Sequence, residues 1–280
     1  MERDDVVGAA KGAALIVHAV NPPGYRNWDT LVLPMIDNTI AAARASGARI
    51  LLPGTVYNYG PDAFADLREE SPQHPVTRKG AIRVALEARL QAASADGVRT
   101  LIVRAGDFFG PKAGNSWLAQ GLIKPGKPVT AISNPASPGV GHQWAYLPDV
   151  AETMMRLVEQ GDALPVFATY HMEGHWDPDG TRMAAAIARA AGKPQLKASA
   201  FPWWLLMLAS PFVPVLREMR EMRYLWRQPV RMSNTRLRVV LGAEPHTPLD
   251  TAMRATLIGL GCIEKVEGEN AAQPRQAAAR

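Results

Sequence analysis

The chain has 280 residues, 47% of them hydrophobic and 20% charged, enough apolar material for one large domain or a domain with a smaller lobe, and this excludes a disordered chain. Its 31 Lys and Arg against 26 Asp and Glu give a net charge of +5 with no basic tract, so nucleic acid is not an expected partner. The single cysteine, Cys262, can form no intramolecular disulfide and no multi-cysteine metal site, which suits a reducing, cytoplasmic compartment.

The opening MERDDVVGAAKG reads as a short helix and lacks the basic start, apolar core and cleavage site of an export signal. After it, short apolar runs alternate with helical patterns, the rhythm of a parallel sheet with helices on its faces. Residues 13–20 (AALIVHAV) form a buried-strand run that stops at Asn21-Pro22-Pro23. A helix is predicted over 29–46, with Leu33, Ile36, Ile40 and Ala43 on one face, Pro34 tolerated near the first turn and Gly47 closing it. A second strand over 49–52 leads into Pro53-Gly54-Thr55, and a helix over 78–95 carries Ile82, Leu86 and Leu90 in register before Gly97. The third strand, TLIVR at 100–104, runs into AGDFFGP. Beyond Pro111 glycine and proline become frequent, which sets a boundary between a domain over 1–111 and a mainly substrate-binding lobe over 112–266, some of whose helices return to the sheet. A helix over 148–160, a strand over 166–170 and a helix over 179–191 with Asp177 as a capping candidate follow, and residues 267–280 read as a disordered tail.

Residues 201–216 are the most apolar stretch, but Pro202, Pro211 and Pro214 interrupt it and it falls short of the roughly 20 unbroken apolar residues of a bilayer span. With Arg217, Arg220, Arg223 and Arg227 behind it, it could lie on a membrane surface. A buried lobe helix followed by a solvated one accounts for the same pattern, and membrane contact is not expected. His171, Glu173 and His175 sit around a strand end and Gly174, without the helical i,i+4 geometry of a zinc pair, so no metal is expected.

Ligands of parallel α/β sheets bind beyond the carboxyl ends of the strands, so residues 18–21, 53–60 and 105–111 should face one cleft. The segments there are ILLPGTVYNYG, SPQHPVTRKGAIRVALEARL and RAGDFFGP, followed later by AYLPDVAETMMRLVE and RLRVVLGAEPHTPLDTAMRATL. In order and along most of the chain, they resemble the extended short-chain dehydrogenase/reductases, the family of NAD-dependent nucleotide-sugar epimerases and dehydratases. The resemblance implies a Rossmann-like doubly wound parallel sheet with a smaller C-terminal α/β substrate lobe. It places Thr55 on the catalytic Ser/Thr position, Lys79 where the family has its catalytic tyrosine and Arg83 where it has the lysine. It also implies NAD or NADP as cofactor, against His18, Ala19, Asn21, Gly54, Gly106, Asp107 and Phe108, and a small-molecule substrate near Tyr57, Asn115 and Trp117.

Two departures weigh against a standard member. The KGAIR segment has no phenol for a proton relay, and Arg83 does not deprotonate in practice. Lys79 and Arg83, one helical turn apart, instead call for an anion to offset their repulsion: a phosphate, or a site in which Arg83 tunes Lys79 as an acid/base group. A solvated basic face is the bland alternative, as a turn hydroxyl is for Thr55 and ring packing is for Tyr57, Tyr59, Phe108 and Phe109. The second departure is that no Gly-x-x-Gly-x-x-Gly turn occurs in the sequence, and the register implies about 60 further residues, two βα units' worth, ahead of Met1. If the chain begins at Met1, the edge at 13–20 would be unpaired and would favour aggregation or a homodimer. The expected activity is that of an atypical NAD(P)-dependent oxidoreductase or epimerase/dehydratase-like enzyme acting on a small carbonyl or hydroxyl compound. The alternative is a non-catalytic protein that senses a dinucleotide or metabolite on the same fold.

Overall fold

The computed structural model describes residues 2–22, 27–64, 66–113 and 116–265. The expected tail over 267–280 and the site candidate Asn115 therefore lie outside the described residues.

A short helix, α1 (Arg3–Ala9), leads into β1 (Leu15–Val17), which is shorter than the apolar run around it; the flanking Ala14 and His18 also bond the neighbouring strand at Arg49 and Leu51. Then come α2 (Trp28–Ser46), β2 (Arg49–Gly54), α3 (Arg78–Ala95) and β3 (Thr100–Arg104). Pro34 lies in the second turn of α2, since that helix opens at Trp28. Thr77 caps α3, its hydroxyl accepting the Gly80 N–H at 3.0 Å. The chain then enters a second sheet with β4 (Asp107–Phe109), before Pro111. After β5 (Ile132–Asn134), β6 (His142–Tyr146) and α4 (Leu147–Val158), it returns to the first sheet as β7 (Phe167–His171).

The first sheet is parallel, in the order β1-β2-β3-β7. It is covered on both faces, which is why its strands are apolar without alternation. Ile50, Leu52 and Ile102 pack with Ile36 and Ile40 of α2 and with Leu86 and Leu90 of α3. Leu51, Leu101 and Val103 pack on the other face against Val150, Met154 and Leu157 of α4. Among the described residues β1 bonds a strand on one side only, and its Val17 is half exposed.

The lobe contains β8 (His175–Asp177), which completes the order β4-β6-β8, then α5 (Thr181–Ala190) and β9 (Ala198–Ala200), which pairs with β5. Asp177 accepts the backbone N–H groups of Gly180, Arg182 and Met183, so it holds the start of α5 from one turn outside the helix. After α6 (Trp203–Ala209) and α7 (Pro214–Glu221), α8 (Thr235–Leu241) packs against β7 and α9 (Leu249–Gly259) against α5. Phe109, Trp144, Met183, Ile187, Met253 and Leu257 form the lobe core.

One expectation is overturned. The apolar segment does not form a buried lobe helix: on α6 only Leu206 is buried, because Trp204, Leu205, Met207 and Leu208 face outward. No helix among the described residues is long and apolar enough to cross a membrane.

Candidate active site at the strand ends

Two adjoining cavities open beyond the carboxyl ends of β1 and β2. The strand-end cavity, about 310 Å3, is lined by His18, Ala19, Asn21, Pro53 and Gly54, with Leu147, Val150 and Met154 of α4 as its apolar wall. The lobe cavity, about 200 Å3, is lined by Trp28, Tyr57, Lys79, Asp107, Trp117 and Gln120, with Glu218, Met219 and Met222 on its outer side. Asn21, Thr55, Arg83 and Phe108 line both.

Local sequence explains how these groups converge. β2 stays paired through Gly54, opposite Arg104, where an added Cβ would come within 2.5 Å of the Arg104 Cγ. The next residue, Thr55, accepts the Tyr57 N–H at 3.3 Å and donates to Asn58 Oδ1 at 3.4 Å, so its hydroxyl orders the turn as well as lining both cavities. Gly80 lets this turn rest on the first turn of α3, since a Cβ there would sit 2.2 Å from the Tyr57 carbonyl oxygen. Helix α3 is locked to β3 by a bidentate pair: Arg104 donates to Glu87 at 3.2 and 2.5 Å, with both side chains buried. Arg104 also donates to the Tyr59 hydroxyl at 2.8 Å and to His171 Nε2 at 3.0 Å. Arginine cannot accept, so His171 presents a lone pair at Nε2 and its proton at Nδ1, toward the Leu67 carbonyl. Burial, then the Arg104 charge, pushes this imidazole down to about 3; burial pushes the Tyr59 phenol up to about 12 despite Arg104.

His18 is held in the same neutral state. Its Nδ1 lies 2.8 Å from the Thr39 hydroxyl, which itself donates to the Met35 carbonyl, so Nδ1 carries the proton and Nε2 is the acceptor. Burial first, and the Arg83 charge second, lower it to about 4.

Lys79 and Arg83 share a face of α3 but not an environment. Lys79 is 1% exposed, and its ammonium meets the Glu221 carboxylate at 2.8 Å, the Glu218 carbonyl at 3.3 Å and the Glu218 carboxylate. The anion that the pair of cations calls for thus includes two carboxylates of α7, from within the same chain. Glu221 also accepts the Lys79 backbone N–H at 3.1 Å, at the amino end of α3 where the helix dipole favours negative charge. Burial works to raise the Glu221 carboxyl, but the Lys79 hydrogen bonds and charge outweigh it and hold it below the usual range. The Arg83 guanidinium lies 5.1 Å from the centre of the buried Trp28 ring.

Of the other candidates, Asp107 lines the lobe cavity while bonded to His142 Nε2 at 2.7 Å, and that imidazole stacks flat on Trp226, 3.7 Å between centroids. Gly106 lines neither main cavity; it lets the loop press on β6, a Cβ there falling 2.2 Å from the Gln143 carbonyl oxygen. Tyr57 and Trp117 line the lobe cavity, whereas Tyr59 is buried with Arg104. Sequence reasoning missed Trp28, Gln120, Glu218, Met219, Met222 and the α4 wall. The available signal was the spacing of Glu218 and Glu221 within an arginine run, which puts two acids on one side of a helix. Among the described residues no group of three or more His, Cys, Asp or Glu is placed to hold a metal ion; His175 lies against His246, ring centres 4.3 Å apart.

No protein-family model matches the chain, and no curated protein matches it by sequence. Solved structures do. A structure of RMD from Pseudomonas aeruginosa with NADPH is 19% identical, with 93% of this chain and 86% of that chain covered and a TM-score of 0.61. A UDP-glucose 4-epimerase from Thermus thermophilus with NAD is 19% identical over 92% and 82%, at 0.64. An epimerase-like protein of Burkholderia cenocepacia J2315, described as a putative epimerase, is 19% identical over 94% and 81%, at 0.66. The parallel sheet covered on both faces, the cleft at its strand ends and these likenesses agree: the chain has the Rossmann-like α/β fold of these solved structures.

Proposed function

We propose that the cleft binds NAD or NADP with the nicotinamide end in the strand-end cavity and a small carbonyl or hydroxyl compound in the lobe cavity, as in an atypical oxidoreductase or epimerase/dehydratase-like enzyme. The observation that carries this reading is the junction of the two cavities at Asn21, Thr55, Arg83 and Phe108, where cofactor and substrate would meet. The strand-end cavity fits a nicotinamide riboside in chemistry: an apolar wall of Leu147, Val150, Met154 and Phe108 faces a polar rim of His18, Asn21 and Thr55. The two structures with NADPH and NAD support the choice of ligand. When bound, the dinucleotide supplies the hydride acceptor or donor.

The chain's own residues then have distinct tasks. Ala19 and Gly54 let the ring approach the strand ends, and Asn21 orients it. The Thr55 hydroxyl positions the reacting oxygen, within a turn that Asn58 holds. Arg83 lines both cavities and serves ribose hydroxyls or phosphate with its fork of donors. Lys79 supplies the proton as an ammonium ion backed by Glu218 and Glu221. Gly106 and Asp107 hold the loop that presents Phe108, and Tyr57 and Trp117 face the substrate.

A second reading, a protein that senses a dinucleotide without turnover, is favoured by one observation: three acceptors already match the three N–H groups of Lys79. The test is a titration with NADH and NADPH followed by nicotinamide fluorescence, then assays with UDP-sugars and small carbonyl compounds. Saturable binding with turnover supports the enzyme, saturable binding without turnover supports the sensor, and no binding refutes both.

A further inference from the structure

Helices α6 and α7 form an apolar ledge with a basic rim. Phe212 is 84% exposed, Trp204 68% and Leu208 66%, and Leu205 and Met207 extend the patch. Single exposed apolar side chains need no explanation, but a contiguous group of large ones marks a surface that meets something. The cations are brought to it by geometry as well as by sequence. Arg220 donates to the Ser210 hydroxyl at 3.3 Å, at the end of α6, and Arg223 lies 5.2 Å from the centre of the Trp203 ring at its start. Arg217 within α7 and Arg227 just after it in the chain are exposed. The acids of the same segment are largely covered: Glu218 and Glu221 meet Lys79, with only 12% and 22% of their side chains exposed, and Glu218 Oε1 also lies 4.0 Å from Arg217 Nε. The outer side of the ledge therefore presents apolar groups and exposed guanidinium ions, while the carboxylates of α7 are mostly covered.

We propose that this ledge docks on an anionic lipid bilayer surface, with Trp204, Leu208 and Phe212 entering the headgroup and acyl boundary and the arginines meeting lipid phosphates. Charge complementarity selects this occupant. A second copy related by a two-fold axis would set the same arginines against each other, and a zwitterionic surface would leave them unmatched. The proposal does not depend on the cofactor or the reaction.

The test is sedimentation of the full chain with vesicles of phosphatidylcholine alone and with about a third phosphatidylglycerol, together with tryptophan emission and light scattering. Binding to the anionic vesicles only, with blue-shifted emission and release by salt, is expected. Exchanging Leu208→Ser and Phe212→Ser should lower partitioning at least tenfold, and Arg217→Gln and Arg227→Gln should lower it about fivefold each at low salt. These side chains are exposed, so unchanged far-ultraviolet circular dichroism controls for folding. No binding to anionic vesicles, equal binding to both compositions, or full binding by the Leu208→Ser/Phe212→Ser variant overturns the proposal. A dimer that this variant dissociates, without vesicle binding by the parent chain, assigns the ledge to a second copy instead.

Discussion

The two cavities share four residues but are built differently. The strand-end cavity is walled by elements whose hydrogen bonds and apolar faces belong to the sheet itself: the ends of β1 and β2 and the inner face of α4. The lobe cavity has an outer wall, α7, that is tied to α3 through Lys79, Glu218 and Glu221. A wall made by packing fails when its core fails, whereas a wall made by charge can be released by changing one atom type. The difference separates the conditions that should disturb each side.

Acid should act first, through three buried imidazoles of which His18 lines the strand-end cavity. His18, His171 and His175 are held at about 4, 3 and 4, so the unfolded chain takes up protons that the folded chain refuses as pH falls below about 6.5. Stability is full above that value and declines toward pH 4, by up to about 1.4 kcal/mol per pH unit for each histidine. Glu221, whose carboxyl is held below its usual range, keeps its contribution until the pH falls below about 4.5. Urea midpoints at pH 7 and pH 5 should therefore differ clearly, and His171→Gln should reduce the difference; equal midpoints would contradict the neutral, buried state of these imidazoles.

Next in size is Lys79→Met, which leaves two partly buried carboxylates without their cation and should cost about 2–3 kcal/mol. Adding Glu218→Gln and Glu221→Gln should recover part of that loss, a recovery that simple loss of packing would not show. Arg83→Met should weaken NADH binding about tenfold, roughly 1.4 kcal/mol, with less effect on the urea midpoint than Lys79→Met. Thr55→Val should have the smallest effect on stability, about 0.5–1 kcal/mol, and should lower kcat more than it raises KM if the hydroxyl positions the reacting oxygen.

The parts of the molecule governed by local periodicity were legible in the sequence. Helix α3 and strand β3 have the predicted bounds because the Ile82-Leu86-Leu90 spacing and the TLIVR run lie between clear terminators. The three strand-end segments do face one cleft, as parallel topology requires. What could not be read was long-range. Nothing near KGAIR says that its lysine meets two acids more than a hundred residues away, so the sequence alone leaves a ligand phosphate, an acid/base lysine tuned by Arg83 or a solvated basic face as the readings of this pair. The FPWWLLMLASPFVPVL stretch was misjudged for a related reason: hydropathy states a preference for leaving water and not whether the fold provides a place to go.

Helix α7 has one further consequence. Its two turns carry carboxylates on the side toward Lys79 and arginines on the side toward solvent, so it acts as a short lever with a different load on each arm. If α7 shifts as a unit, drawing the arginine arm outward lengthens the contacts that hold the ammonium ion, and a ligand that tightens those contacts draws the arm in. Such a linkage is reciprocal in free energy: whatever factor an outer contact applies to affinity in the lobe cavity, an occupant of that cavity returns to the outer contact.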